Sequence, residues 1–351
     1  MRIALLTLSF PPQVGGVQQY LYEISRRLAD QHRLVVVTPV ASRSDDVHLR
    51  RMVVKPTTLG FVRTLLQLSP DRVLLGHAHP RLLLAAAVAV RNRYATITYG
   101  NDYLAAQLRW HRPLFNWLLG RSRPLITMTC ANAARLRQLG LPQPVVVYPG
   151  ADPCRFTPPP VPPPLPLTLL TVGRLVPRKG LDTVIQALPT LVIEFPDLRY
   201  RVAGDGPDRS RLQQMACDLG VAQAVEFLGP VPDEALAGVY RSAHVFVMPA
   251  REERQAASVE GFGIVYLEAS ASGLPVVAGR SGGVEEAVRE EETGFLVPPD
   301  DPESLVHALR RLLADPELRH RMGQAGRQWV EQDMGWDRAA AQIGQALEVH
   351  R

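Results

Sequence analysis

The amino-acid sequence predicts an α/β protein of two doubly wound, parallel-sheet domains. Three observations carry this. The chain has 351 residues, too many for one ordinary α/β domain and suited to two. Each half alternates short β-rich apolar runs with helical patterns, the mark of a doubly wound sheet. Near the midpoint stands PCRFTPPPVPPPLP, residues 153–166. Proline fixes φ and cannot join a central strand, so this stretch reads as a semi-rigid connector.

In the first half, Ile3–Thr7, Leu34–Thr38, Val73–Gly76, Ala95–Thr98, Ile126–Thr129 and Val145–Val147 read as buried parallel strands. The clearest helix between them covers Val17 to Ala29, with Val17, Tyr20, Leu21, Ile24 and Leu28 on one stripe. In the second half the strands are Leu167–Val172, Arg199–Ala203, Val225–Leu228, Val245–Met248, Val276–Ala278 and Gly294–Leu296. Helices are expected over Leu181–Glu194, Arg209–Leu219, Asp233–Arg241, Ile264–Ser272 and Pro302–Leu313, and Glu317–Val349 reads as helical throughout. The domain expectation is 1–152, a linker over 153–166, a second domain over 167–330, and a terminal helix over 331–351 lying back on the first domain.

Bulk properties narrow the function. Apolar residues make up 46%, enough for two cores, and no solenoid repeat is present. The start reads as a strand rather than a leader, and the longest apolar run, Leu82–Val90, is about half a membrane span. The expectation is a soluble, cytoplasmic protein. Cys130, Cys154 and Cys217 form no paired motif, so they read as small buried side chains rather than a disulfide framework or a zinc site. The net charge of +5 hides an asymmetry. Residues 1–150 hold 19 Lys and Arg against 6 Asp and Glu, a net of +13, and the remainder carries −8. The first half therefore suits an anionic partner. The basic residues match no nucleic-acid motif, which argues against nucleic acid as that partner.

Three motifs carry chemistry. Pro11-Pro12-Gln13-Val14-Gly15-Gly16-Val17 stands between strand one and helix one, where Gly15 and Gly16 let backbone approach a ligand and the helix N-terminus presents free N–H groups to an anion. It is not the GxGxxG dinucleotide fingerprint, which argues against an NAD or FAD enzyme. In Val172-Gly173-Arg174-Leu175-Val176-Pro177-Arg178-Lys179-Gly180, Arg174 can pair bidentately with phosphate and Lys179 supplies a point charge. Both follow a strand's carboxyl end, where open α/β sheets bind ligands, and two cations there suit a diphosphate leaving group. In Glu260-Gly261-Phe262-Gly263-Ile264-Val265-Tyr266-Leu267-Glu268, a glycine turn feeds a helix. Its carboxylates would lie roughly 12 Å apart on a continuous helix. That exceeds the roughly 5–9.5 Å of a glycosidase pair, so they read as touching two ends of one extended ligand. Gly204-Asp205-Gly206-Pro207 and Ser281-Gly282-Gly283 end two further strands and would border the same site.

These motifs, together with GHAHP, VEFLGPVP, VFVMPA, LEASASGLPVVA and TGFLVPPDDP, resemble the large retaining glycosyltransferase family 4 over nearly the whole chain. The resemblance implies the GT-B fold, two Rossmann-like domains facing across a cleft, the first for the acceptor and the second for a nucleotide-sugar. It implies that Gly15 and Gly16 approach the donor diphosphate, that Arg174 and Lys179 hold it, that Glu260 contacts the transferred sugar and stabilises positive charge at its anomeric carbon, and that Glu268 binds the ribose. Gly204, Gly206, Val231, Gly261, Phe262, Gly263 and Ile264 would complete the donor site. No cofactor or metal is expected, since no DxD element is present. His79 matches a recurrent family position, and Tyr99, before Asp102, stands where the family often has histidine. Tyrosine donates a hydrogen bond but does not imitate imidazole near neutral pH. His79, Tyr99 and Asp102 are the candidate acceptor-side residues.

Within the family, REERQAASVEGFGIVYLEA together with FPPQVGGVQ is most similar to bacterial phosphatidylinositol-mannoside mannosyltransferases. The function implied is hexosyl transfer, mannose from GDP-mannose, onto a lipid or lipid-linked glycan. Arg109–Arg123 mixes Trp110, Phe115 and Trp117 with four arginines and suits docking on an anionic membrane surface. The alternatives are a transferase using UDP-glucose or UDP-GlcNAc on a soluble acceptor, and a non-catalytic nucleotide-sugar binder.

Overall fold

The computed structural model describes residues 1–41, 49–91, 93–161, 163–253 and 259–349. It divides into two compact units, Met1–Pro149 with Trp336–Arg351, and Gly150–Gly335.

The first unit runs β1 (Arg2–Leu6), α1 (Gly16–Gln31), β2 (Arg33–Thr38), β3 (Arg50–Val53), α2 (Thr58–Leu68), β4 (Arg72–Leu75), α3 (Pro80–Val90), β5 (Tyr94–Thr98), α4 (Asn101–Gln107), α5 (Arg112–Leu119), β6 (Leu125–Thr127), α6 (Cys130–Gln138) and β7 (Val145–Val146). The strands form one parallel sheet in the order β3-β2-β1-β4-β5-β6-β7. Strand order reverses between β1 and β4, so their carboxyl ends open a crevice of the kind in which such sheets bind ligands. The central strands are buried on both faces, which is why they read as continuous apolar runs. β3 was not among the expected strands. It is an edge strand, paired only with β2, half-exposed and carrying Arg50 and Arg51, so it lacks that signature.

The second unit runs β8 (Thr168–Val172), α7 (Leu181–Glu194), β9 (Arg199–Ala203), α8 (Arg209–Asp218), β10 (Val225–Gly229), α9 (Asp233–Arg241), β11 (Val245–Met248), α10 (Ile264–Ala271), β12 (Val276–Gly279), β13 (Gly294–Val297), α11 (Pro302–Ala314) and α12 (Pro316–Asp333). Its parallel sheet has the order β10-β9-β8-β11-β12-β13, with the reversal between β8 and β11. One core fills the space under α7 and α11, including Val184, Leu188, Tyr200, Val247 and Leu309. The proline-rich stretch starts inside this unit: Phe156 is buried, and Arg327 donates to the carbonyls of Pro153 and Ala271 at 2.9 and 2.7 Å.

The stretch Glu317–Val349, expected to be helical throughout, holds two helices with a break between them. α12 stops at Asp333, and α13 (Trp336–Val349) follows. Between them Met334 O accepts from Ala151 N at 2.9 Å and Gly335 bridges to Ala151, a pairing that takes the backbone out of the helical ladder. α13 then belongs to the first unit and packs on α1. Trp336 meets Tyr20 edge-on at 5.8 Å, Asp337 pairs with Arg27 at 2.5 Å, and Ile343 and Leu347 are fully buried. Burial of each such side chain contributes roughly 1.5–3 kcal/mol. The three cysteines, expected to be buried, are exposed and form no disulfide among the described residues, so packing does not account for them.

Candidate active site

In the second unit the carboxyl ends of the strands carry the residues that the motifs singled out. After β8 the chain makes a 3-10 turn over Pro177–Lys179 and enters α7. The Lys179 side chain lies along the backbone of Gly173 and ends 2.9 Å from Glu260 Oε2. Arg178 Nε stands 3.5 Å from the same oxygen. Lys179 and Glu260 are 7% and 9% exposed, so this ion pair is shielded from water. Burial alone would push the Glu260 carboxyl up. The Lys179 and Arg178 charges outweigh it and hold the group below the usual carboxylate range.

Glu260 is presented by the loop that leads into α10. Gly263 caps that helix with φ +86°, and a Cβ there would lie 2.4 Å from the Tyr266 ring. Only glycine meets both demands. Tyr266 OH donates to Met248 O at 2.8 Å and so fastens α10 to the end of β11. Phe262 and Ile264 are buried beside it, and Gly261 is half-buried. Glu268, one turn into α10, is 2% exposed, and Tyr240 OH donates to its Oε2 at 2.9 Å. Burial, then the Glu268 charge, raises the Tyr240 phenol well above its ordinary value, so it remains a donor.

Around this centre the neighbouring strand ends close up. Gly173 N donates to Ala203 O at 2.9 Å, Leu175 N to Asp205 O at 3.0 Å, and Gly204 N to Gly229 O at 2.8 Å. These bonds seat Gly204 and Gly206 between the exits of β8 and β10. Val231 is half-buried after β10, and Ser281 opens the 3-10 turn Gly282–Glu286 after β12. Arg174 is exposed. The structure therefore brings Lys179 to Glu260 but leaves Arg174 at the surface and Arg178 as the second cation beside Glu260. The sequence reading did not single out Arg178, Tyr240 or Tyr266. Arg178 was legible as the neighbour of Lys179. Tyr240 lies on another helix, and no local pattern marks it.

In the first unit, Gly15 and Gly16 open α1 on an exposed loop with no side-chain cap and no acidic residue in the first turn. The N–H groups there are open to an anion. Arg51 steadies the base of the loop: it stacks over Phe10 at 4.9 Å and donates to Pro11 O at 2.9 Å. His79 is the N-cap of α3, its Nδ1 accepting from Arg81 N at 3.2 Å. Asp102 accepts from the backbone N–H groups of Ala78, Tyr99, Gly100 and Tyr103 at 3.0–3.1 Å, tying the exit of β4 to that of β5. Tyr99 is buried edge-on against Tyr20 at 5.8 Å, and its hydroxyl has no partner among the described residues. His79 and Asp102 thus have structural tasks at the carboxyl edge of this sheet.

The family model for Glycosyltransferase Family 4 matches residues 14–155, and that for Glycosyl transferases group 1 matches residues 160–329. A GDP-mannose-dependent alpha-(1-6)-phosphatidylinositol monomannoside mannosyltransferase of Mycolicibacterium smegmatis is 35% identical, over 99% of this chain and 98% of its own length. The enzyme of that name from Mycobacterium tuberculosis is 33% identical over the same shares. A monoacylated-acceptor counterpart from Corynebacterium glutamicum is 31% identical over 95% of this chain and 94% of its own. Among solved structures, sucrose-phosphate synthase from Thermosynechococcus elongatus superposes with a TM-score of 0.82 at 23% identity, covering 99% and 98% of the two chains. Anabaena HepE in complex with UDP-glucose gives 0.81 at 21%, covering 99% and 100%. The two parallel sheets and these neighbours make the fold GT-B, and the chain belongs to the family 4 glycosyltransferases, with a group 1 second domain.

Proposed function

We propose that this glycosyltransferase is retaining and metal-independent, and that it moves mannose from GDP-mannose to a lipid of the phosphatidylinositol-mannoside class at the cytoplasmic face of a membrane. The observation that carries the chemistry is the shielded Lys179–Glu260 pair at the sheet's carboxyl edge. Donor and acceptor rest on the full-length relatives. In this reading Lys179, with Arg174 and Arg178, takes the charge that grows on the diphosphate as the anomeric C–O bond breaks. Glu260 faces the sugar and stabilises the positive charge on its anomeric carbon. Glu268 meets the ribose. The acceptor oxygen bonds to the carbon on the face the diphosphate leaves, and its proton passes to a leaving phosphate oxygen. Protein cations at the diphosphate support a reaction that needs no metal.

The membrane part is supported by α5. Phe115, Leu118 and Leu119 face the core, while Leu114 and Trp117 face out, and Trp110 just before it is 93% exposed. Arg121 stacks on Trp117 at 4.7 Å, and Arg109, Arg112 and Arg123 are exposed around them. A helix apolar on both faces and rimmed with arginine fits an anionic interface. Among the described residues, no helix is long and apolar enough to cross a membrane.

The test is a thermal-shift and transfer panel of GDP-mannose, UDP-glucose and UDP-GlcNAc with a phosphatidylinositol-mannoside acceptor, with and without EDTA. A ligand at a hundredfold its Kd stabilises by about 2.7 kcal/mol. GDP-mannose alone should shift melting and label the lipid, with or without EDTA and with the anomeric configuration kept. No shift with any nucleotide-sugar would overturn the reading, and an inverted product would overturn its stereochemistry.

A further inference from the structure

A chain of alternating charge crosses the carboxyl edge of the second sheet, and the donor reading gives it no role. Arg211, on α8 after β9, donates to Asp208 at 2.6 and 2.7 Å and to Asp182 at 3.0 Å. Asp182, in the first turn of α7 after β8, accepts two parallel bonds from Arg251 at 3.0 and 2.8 Å. Arg251, three residues past β11, also donates to Asp300, three residues past β13, at 2.5 Å. Four strand exits are thereby linked. The side chains of Asp182 and Arg251 are 13% and 16% exposed. Burial pushes the Asp182 carboxyl up, but Arg251 and then Arg211 outweigh it and hold it below the usual range.

Arg251 also grips the Lys179 turn by its backbone. Its N–H donates to Arg178 O at 2.8 Å. Gly180, at φ +71°, lies so close to the end of β11 that a Cβ would stand 2.1 Å from Pro249 O. The turn is thus seated on the β11 exit, held from below by contact, from one side by the Arg251 N–H, and from the next helix by Asp182.

We propose that Arg251 is a positioning residue for the donor's diphosphate: its fork on Asp182 and its N–H on Arg178 aim the Pro177–Lys179 turn. This rests on reading Lys179 as the diphosphate-binding cation. A planar guanidinium on a carboxylate fixes direction as well as distance, which an ammonium does not. A partly shielded pair of this kind adds little net stability, so its weight falls on geometry.

The test is titration of the full chain with GDP, inorganic pyrophosphate and guanosine, for wild type, Arg251→Met, Arg251→Lys and Asp182→Asn. Arg251→Met should weaken GDP and pyrophosphate about tenfold, with guanosine within about twofold and donor KM rising more than kcat falls. Arg251→Lys should recover part of the loss. Asp182→Asn should reproduce it, and these two size-preserving variants decide the matter if the methionine variant does not fold. GDP and guanosine weakening together, or GDP unchanged, would overturn the proposal. Wild type binding neither GDP nor pyrophosphate would overturn the donor reading and this inference with it.

Discussion

Glu260→Gln should bind GDP more tightly than wild type while transferring sugar far more slowly. Without donor, Lys179 and Glu260 form an ion pair at 2.9 Å. At an effective dielectric of about 20, the gross attraction at that distance is about 6 kcal/mol. After desolvation, a contact between charged groups keeps roughly 1.5–3 kcal/mol. A diphosphate must draw Lys179 from that partner, and it brings negative charge toward Glu260. Glutamine keeps the shape and removes both the competitor and the repulsion. GDP lacks the sugar, so nothing Glu260 does for the sugar is lost. A gain of about 1.5–3 kcal/mol is roughly 10- to 150-fold in Kd. Transfer should fall by about 10²–10³, the scale seen when a preorganised electrostatic group is removed. Calorimetric titration of GDP, beside single-turnover transfer from GDP-mannose, reads both. Unchanged or weaker GDP binding in Glu260→Gln, with Lys179→Ala still abolishing it, would refute the competition: the two side chains would then hold the donor together.

Other outcomes follow from the same geometry. Tyr240→Phe should cost about 2 kcal/mol in urea unfolding, because the buried Glu268 carboxylate loses a donor, and should weaken guanosine about fivefold if that carboxylate meets the ribose. His77 is held down to about 4 by burial, then by His79. The unfolded chain therefore binds a proton that the folded chain refuses between the ordinary 6.5 and about 4, and stability falls as pH falls through that window. His77→Asn should flatten the melting temperature there, and an unchanged slope would exclude His77 as the source. Trp110→Ala with Trp117→Ala should lower retention on anionic vesicles about tenfold at low salt, with the melting temperature unmoved, since both rings are exposed.

How far the sequence could be read depended on how many neighbours each residue answers to. The central strands were legible because burial on two faces leaves a run of apolar residues. β3 answers to one neighbour, and its Arg-Arg-Met-Val carries no such run. The helical pattern past Glu317 was real, but Ala151, far away in sequence, decides where it breaks. At the site, the Glu260 loop and the Lys179 turn were legible as local motifs. Which of Arg174 and Arg178 points at Glu260 depends on the course of one 3-10 turn, which spacing does not specify. Tyr240 and Arg251 lie on other elements from the residues they hold, and only the sheet order brings them there. One signal stood available for Arg251: it follows a strand's carboxyl end, the position the sheet-edge rule marks.

The protonation state of Glu260 bears on what it can do. A general acid at neutral pH needs a raised pKa, as in glycosidases that protonate a leaving oxygen. Burial supplies that push here, but Lys179 and Arg178 reverse it. Glu260 is thus an anion at neutral pH and a poor proton donor. A diphosphate leaving group needs no proton, and an electron-poor anomeric carbon is stabilised by fixed negative charge. A depressed carboxyl adds stability above its ordinary value near 4.3, lost only as pH falls through the lowered one. Lys179→Ala removes the larger of the two charges that oppose burial and leaves Arg178 alone against it, so the Glu260 pKa rises; a buried carboxylate held less firmly costs stability at neutral pH, and that cost is relieved as protonation sets in. Melting curves of this variant should therefore recover relative to wild type as pH falls from 7 toward 5. If the difference between the two stayed constant over that range, Lys179 would not be what keeps Glu260 charged.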